Sequence, residues 1–396
     1  MQLKKQINLF NNQPINGKLL YLISFCGIIF CDFILMTTFS SAIPAKYLNW
    51  SIDLFMLPAM FKLFLIDKHK LPEWLTIVFV LSLAFVSWRK SGYNMMFVMA
   101  VLVMSASGID FRKLIEVYFK ILLSLFLMVI AYSLVGIIDN LVYYRNAIPR
   151  YALGINYPTD CAALVFSLVL AYCYTYYKKL NLTQYIGIFV IAYLVKYFTD
   201  VRLDTILIVL IVPVLAIAKK AQIDKDPFST CVSTTYWGSI PMLAFVAIYS
   251  SYFYDSSNHI YLKFDRILSG RLQLSHRGLN EYGIHLFGQK IQEFGWGGNK
   301  GLNMMMHSPN QYFFIDSAYL RMFIVCGIVV SMVFLISNVV LAMRETRNNS
   351  YILPAVILMF SISAMIDQHF IEIVYNPFLI ALVANVEKGD KDGKNY

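Results

Sequence analysis

Residues 19–37 read LLYLISFCGIIFCDFILMT, a run in which Asp32 is the one charged residue. About 20 apolar residues of helix cross the hydrocarbon core of a bilayer, so this stretch is long enough to span. Its apolar residues are continuous rather than alternating. That favours a helix over a barrel strand, these being the two backbones that satisfy their own hydrogen bonds in lipid. The run follows Lys4, Lys5 and Lys18 but exceeds the core of a secretory signal, and no clean small-x-small cleavage site follows it. It reads as a first transmembrane helix.

Comparable runs recur near 48–66, 74–88, 93–108, 114–138, 160–177, 184–198, 203–218, 236–254, 317–341, 352–366 and 370–386, which gives about 12 spans. The last two also read as one broken helix. Composition agrees: 59% of the 396 residues are hydrophobic and 14% charged, against roughly half and a quarter in soluble domains. The 27 Tyr and 30 Phe suit helix ends lying at headgroup level. With no internal repeat and no low-complexity linker, the expectation is one all-α, polytopic membrane domain over 1–396. The six cysteines mostly lie in apolar runs without a CxxC pair, and read as small core residues rather than a metal site or disulfide framework.

A net charge of +10 can signal nucleic-acid binding, but here the lysines cluster in short loops between apolar runs. Placing the N-terminus in the cytoplasm puts Lys68, Lys70, Arg112, Lys113, Lys178, Lys179, Lys219, Lys220, Lys225, Arg344 and Arg347 inside, with Lys388, Lys391 and Lys394 in the tail. Every inner loop is then basic, as the positive-inside rule requires. The expected arrangement is a membrane protein with both termini in the cytoplasm, segments 139–159 and 255–316 outside, and no nucleic-acid partner.

Arginine breaks the pattern. Of eleven arginines, eight fall on the outer side or at its boundary: Arg89, Arg145, Arg150, Arg202, Arg266, Arg271, Arg277 and Arg321. Orientation needs only positive charge, whereas the planar guanidinium fork suits phosphate or pyrophosphate. The plainer alternative is contact with lipid headgroups or nearby carboxylates.

Four outer segments carry candidate chemistry. In 150–160, Gly154 allows a close backbone approach, Pro158 opens a helix, and Thr159 or Asp160 is placed to cap it. Arg150 beside that helix N-terminus is a candidate phosphate cradle. In 199–204, Asp200 and Asp204 flank Arg202, either as a salt-bridge cluster or as a sugar-phosphate contact. In the long loop, helical spacing places Arg266 and Arg277 on one face of a surface helix and turns Arg271 inward with Ser275 and Tyr282, while Trp296 sits in a glycine-rich loop where it can stack on a sugar. At the loop's end, His307 and Asp316 are candidate proton acceptors, and Asp316 and Tyr319 share a face if that stretch is helical. No Walker A loop, GxSxG, HExxH or helical His/carboxylate set is present, so ATP-driven transport and metal hydrolysis lose support, and no cofactor or metal is expected.

At these segments the chain resembles the Wzy-type polymerases of O-antigen, capsule and exopolysaccharide, most of all Gram-positive members. The resemblance rests on R-x-x-L-G-x-N-Y-P at 150–158, D-x-R-x-D at 200–204, S-G-R-L at 269–272, L-F-G-Q at 286–289 and F-I-D-S-A-Y-L at 314–320 followed by Gly327. It implies a GT-C-like membrane glycosyltransferase that joins undecaprenyl-pyrophosphate-linked oligosaccharide repeat units at the outer face, without metal. Arg150, Arg202 and Arg271 would then hold pyrophosphate, with Arg266, Arg277, Asp200, Tyr319 and Trp296 around the substrate. Membrane lipids, a flippase and a chain-length regulator are the implied partners. His307 matches a loop histidine of the related O-antigen ligases, though Ser308-Pro309 departs from their His-Asn pairing. The rival readings are a ligase for finished chains and a flippase for the same lipid-linked sugars; a flippase should carry charge through mid-span positions.

Overall fold

The computed structural model describes residues 16–386, so the calls on Lys4, Lys5 and the Lys388–Lys394 tail lie outside the described residues. Among the described residues, nine helices are long and apolar enough to cross a membrane: Gly17–Leu35, Ala45–Ile66, Leu71–Ser91, Phe111–Val135, Pro158–Lys179, Leu182–Thr199, Arg202–Asp224, Pro227–Tyr252 and Ile328–Arg347. Met95–Met104 and Ile352–Ser363 are shorter apolar helices. The protein is an α-helical, membrane-embedded bundle.

The helix ends follow local chemistry. Asp110 accepts from the Lys113 amide, and Asn181 forms a capping box with Gln184. Pro158 and Pro227 occupy the first turns of their helices, where a missing N–H costs nothing. One core runs from Tyr21 to Ala384, tied by polar anchors such as Tyr21 Oη donating to the Leu102 carbonyl at 3.1 Å.

Two expected spans are built differently. The run 317–341 is interrupted at Gly327, whose φ of +94° separates a short helical stretch from Ile328–Arg347. A Cβ there would lie 2.2 Å from the Gly288 nitrogen, and one on Gly288 would lie 2.2 Å from the Val325 carbonyl oxygen. The loop segment at 286–289 thus packs backbone to backbone against the helix break, which only glycine permits.

The second difference is 370–386, which forms 3-10 turns and irregular chain rather than a helix. Asn376-Pro377 sits in its middle, where proline has no N–H to donate and disfavours a helical residue before it. Residues 369–381 are all buried, and protein groups supply the hydrogen bonds that lipid cannot. Tyr118 Oη donates to the Val374 carbonyl at 2.6 Å, and Arg344 donates to the carbonyls of Leu382 (2.8 Å) and Ala381 (2.7 Å). The stretch ends where Asn385 pairs with Ile109 and Phe111, at the end of the bundle opposite the long loops.

The fold is not wholly helical. Val142–Arg145 and Ile148–Tyr151 form an antiparallel hairpin in the first long loop.

Candidate functional site

The hairpin sets Arg150. Tyr143 pairs with Arg150 across it, and the pleat turns the arginine inward, where it is 3% exposed. Its Nε donates to the Thr199 carbonyl at 2.9 Å, and its guanidinium carbon lies 5.7 Å from the Tyr157 ring centroid. Nη2 is buried with no hydrogen-bond acceptor. The close approach expected of Gly154 is present: φ is +85°, and a Cβ would lie 2.8 Å from Val129 Cγ1. The expected cap is not. Tyr157 occupies the N-cap without a side-chain bond, and Thr159 and Asp160 lie within the first turn.

The 199–204 turn separates its two carboxylates. Asp200 ends the Leu182–Thr199 helix in a left-handed conformation and pairs with Lys196 rather than Arg202. Asp204 belongs to the next helix and is buried, with Oδ1 unpartnered. The two therefore do not stack on one helix as their i,i+4 spacing suggests. Arg202 is exposed at the helix start. Arg145 feels both Arg150 and Arg202, and burial together with the Arg150 charge pulls its guanidinium below the usual arginine value. Clustered positive charge of this kind attracts anions.

The long loop carries three helices, His259–Ile267, Arg271–Tyr282 and Gly298–His307, the first two separated by positive φ at Ser269 and Gly270. Asp265 Oδ1 accepts from the Leu272 and Gln273 amides, at 2.9 and 3.1 Å, and so closes the second helix from the first. The break removes the common face expected for Arg266 and Arg277. Arg266 is exposed, and Arg277 pairs with Glu281 at 2.6 Å while covering the Phe313 ring. Arg271 turns inward beside buried Ser275, as its spacing indicated. Its Nε is 3.6 Å from Asp316 Oδ2 and has no hydrogen-bond partner, while Nη1 donates to the Leu268 carbonyl at 3.3 Å. Burial pushes the Asp316 carboxyl above its ordinary range, against the opposing pull of Arg271.

Two further candidates, His307 and Tyr319, fall elsewhere. His307 is exposed and bonds through Nδ1 to the Asn303 carbonyl of its own helix, away from Asp316 and Arg271. Tyr319 is fully buried and donates to the Ser361 carbonyl at 3.0 Å, so it holds helices together rather than lining a site. Asp316 precedes the Ala318–Arg321 helix and shares no helical face with it. Trp296 is pinned, not mobile: its ring packs on Tyr312 at 4.3 Å between centroids, and its carbonyl accepts from Tyr143 Oη at 2.9 Å.

The structure adds a cluster that the sequence reading passed over. His369 Nδ1 is 2.5 Å from Glu372 Oε2, and Nε2 is 3.4 Å from both Asp160 Oδ1 and Asp367 Oδ1. Its ring stacks on Tyr375 at 3.7 Å, and Tyr93 Oη donates to Glu372 Oε1 at 3.0 Å. Asp204, Asp367 and Asp316 all act on Arg271, which joins this cluster to the arginine side. The available signal was Asp367-x-His369-x-x-Glu372 inside an apolar run, since ionisable residues at membrane depth mark functional sites.

Beside Arg150, an apolar groove of about 610 Å³ runs between the Phe111–Val135, Pro158–Lys179 and Leu182–Thr199 helices, with Leu153, Cys161 and Thr199 among its lining residues. Leu127, Leu134 and Leu194 line its exposed side. No family model, no curated protein and no solved structure matches this chain.

Proposed function

We propose that the protein is a membrane glycosyltransferase that polymerises lipid-linked oligosaccharide repeat units into surface polysaccharide at the outer face of the membrane. The observation that carries this reading is the pair Arg150 and Arg271, both drawn into the protein, each with a buried guanidinium nitrogen lacking an acceptor. A buried donor nitrogen without a hydrogen-bond acceptor is costly, and a pyrophosphate would supply acceptors to both. Transfer from pyrophosphate expels an anionic leaving group, and fixed guanidinium groups stabilise such developing charge without reorganising. The groove beside Arg150 suits the polyisoprenoid tail of an undecaprenyl carrier.

We read the path as twelve crossings in a GT-C-like arrangement: the nine long helices, Met95–Met104, Ile352–Ser363, and the irregular chain from 364 to its pairing at Asn385. On that path Asp32, Asp160, Asp204, Arg271 and His369 gather at the end of the bundle that carries the long loops. Charge concentrated at one end favours surface chemistry over translocation by a flippase, which needs polar groups along the route.

The test is polymer length, read by gel on polysaccharide extracted from cells carrying Arg150→Lys or Arg271→Lys. Lysine keeps the charge and loses the fork. Single units accumulating on the outer lipid carrier, at unchanged protein level, is the expected result. Unchanged polymer length would refute the reading, and units trapped on the inner face would replace it with a flippase.

A further inference from the structure

The site has two chemically distinct sides. Arg145, Arg150 and Arg202 lie on one, and Asp160, Asp204, Asp367 and Glu372 surround His369 on the other, with Arg271 and Asp316 between them. An anionic leaving group belongs on the first side. The second suits a neutral sugar bearing the hydroxyl to be activated.

We propose that Asp160 is the general base for the acceptor hydroxyl, and that His369 is the residue that positions it. This rests on the glycosyltransferase reading above. Within the His369 cluster, Asp160 is the member a substrate can reach: its side chain is 25% exposed, against 6% for Asp367, 7% for His369 and 10% for Glu372. Asp316 has similar exposure, but its carboxylate is engaged by the Arg271 guanidinium at 3.6 Å, on the side assigned to the leaving group.

His369 cannot easily turn away from Asp160. Glu372 takes one ring nitrogen at 2.5 Å, Tyr375 stacks on the ring face, and Tyr93 holds Glu372 from behind. Both ring nitrogens face carboxylates, an arrangement that a doubly protonated ring satisfies by donating on both sides. Tyr375 Oη also donates to the Asp160 carbonyl at 3.4 Å, fixing the backbone from which the carboxylate projects. The remaining charged or titratable neighbours of Asp160 are Asp204, Asp316, Asp367, Tyr143 and Cys161.

In the step, the acceptor O–H proton passes to an Asp160 carboxylate oxygen as the acceptor oxygen bonds to the donor sugar's anomeric carbon. The bond from that carbon to phosphate breaks, and its electron pair leaves with the pyrophosphate toward the arginines. Asp160 then returns its proton to water.

The experiment uses the full-length protein in nanodiscs, with lipid-linked repeat units extracted from the source cells as substrate and undecaprenyl pyrophosphate as a separate ligand for thermal shift. Positioned bases contribute about 10²–10⁴-fold, so Asp160→Asn should slow polymerisation at least ~100-fold while keeping the shift. Asp160→Ala should recover rate when formate is added, a response that a purely structural role would not give. His369→Gln should lower kcat with little change in KM, because Asp160 loses the ring that orients it. If the wild type polymerises and Asp160→Asn stays within ~3-fold of it, or formate rescues nothing, Asp160 is not the base and the polymerase reading stands. If the wild type itself forms no polymer, both fall.

Discussion

Arg321 belongs to the outer arginine set by sequence, but the structure gives it a structural task that can be measured. Its Nη1 meets Glu293 Oε1 at 2.6 Å, with side chains 12% and 13% exposed, and the same Glu293 oxygen accepts the Ile315 amide at 3.0 Å. The pair ties the 284–297 chain to the segment that leads into Ala318–Arg321. Replacing Arg321 with Met keeps much of the volume and strands Glu293 as a buried charge, for which about 3–5 kcal/mol is expected. Glu293→Gln keeps an acceptor for both donors but strands the equally buried Arg321 charge, so about 3–5 kcal/mol is expected there too. Arg321→Met with Glu293→Gln removes both charges together, and neutral replacements of buried pairs are often nearly neutral. The double variant should therefore be more stable than Arg321→Met alone by at least ~1.5 kcal/mol. Denaturant titration of the protein in mixed micelles, followed by tryptophan fluorescence, measures all four forms. Additive costs, or an Arg321→Met variant within ~1 kcal/mol of wild type, would refute the assignment. Normal stability with lost polymerisation would move Arg321 into the substrate site.

Two further outcomes follow from the geometry. Gly327→Ala places a Cβ 2.2 Å from the Gly288 nitrogen at a φ of +94°, adding backbone strain of about 1–3 kcal/mol to overpacking of about 1–3 kcal/mol; a thermal midpoint equal to wild type would contradict the contact. For Asp316, burial favours the neutral carboxyl and sets its pKa above that of the unfolded chain. Its stabilising contribution is complete below the unfolded value near 3.9 and is lost as pH rises through the higher folded value. Asp316→Asn should flatten the decline in stability across that window, and an unchanged slope would count against it.

The spans were legible because hydropathy and length are properties of a single segment, and lipid leaves few backbone options. Arg271 facing inward was legible too, since helical spacing from Ser275 fixes it. What failed depended on tertiary contacts. The Ser269-Gly270 turn cuts the surface helix that would have aligned Arg266 with Arg277, and no periodicity count registers two positive φ values. His307 looked like a proton acceptor by type and place in the loop, but its own helix occupies its Nδ1. Asp367 and His369 fall in the gap between 352–366 and 370–386, and Glu372 sits just inside the second run, so weighing the runs for length passes over all three. Asn376-Pro377 carried the warning that this stretch was no ordinary helix.

The irregular chain from 364 to 385 has a consequence for how the protein is made. A helix entering the membrane brings its own hydrogen bonds, but this stretch relies on Tyr118 and Arg344 for several of its partners. It cannot lie stably in lipid before the helices that carry those residues have assembled around a slot for it. Its packing is therefore a late event in assembly, and His369 reaches Asp160 only once that slot is filled. A chain stalled or misassembled upstream would hold its arginines but lack the contact between His369 and Asp160.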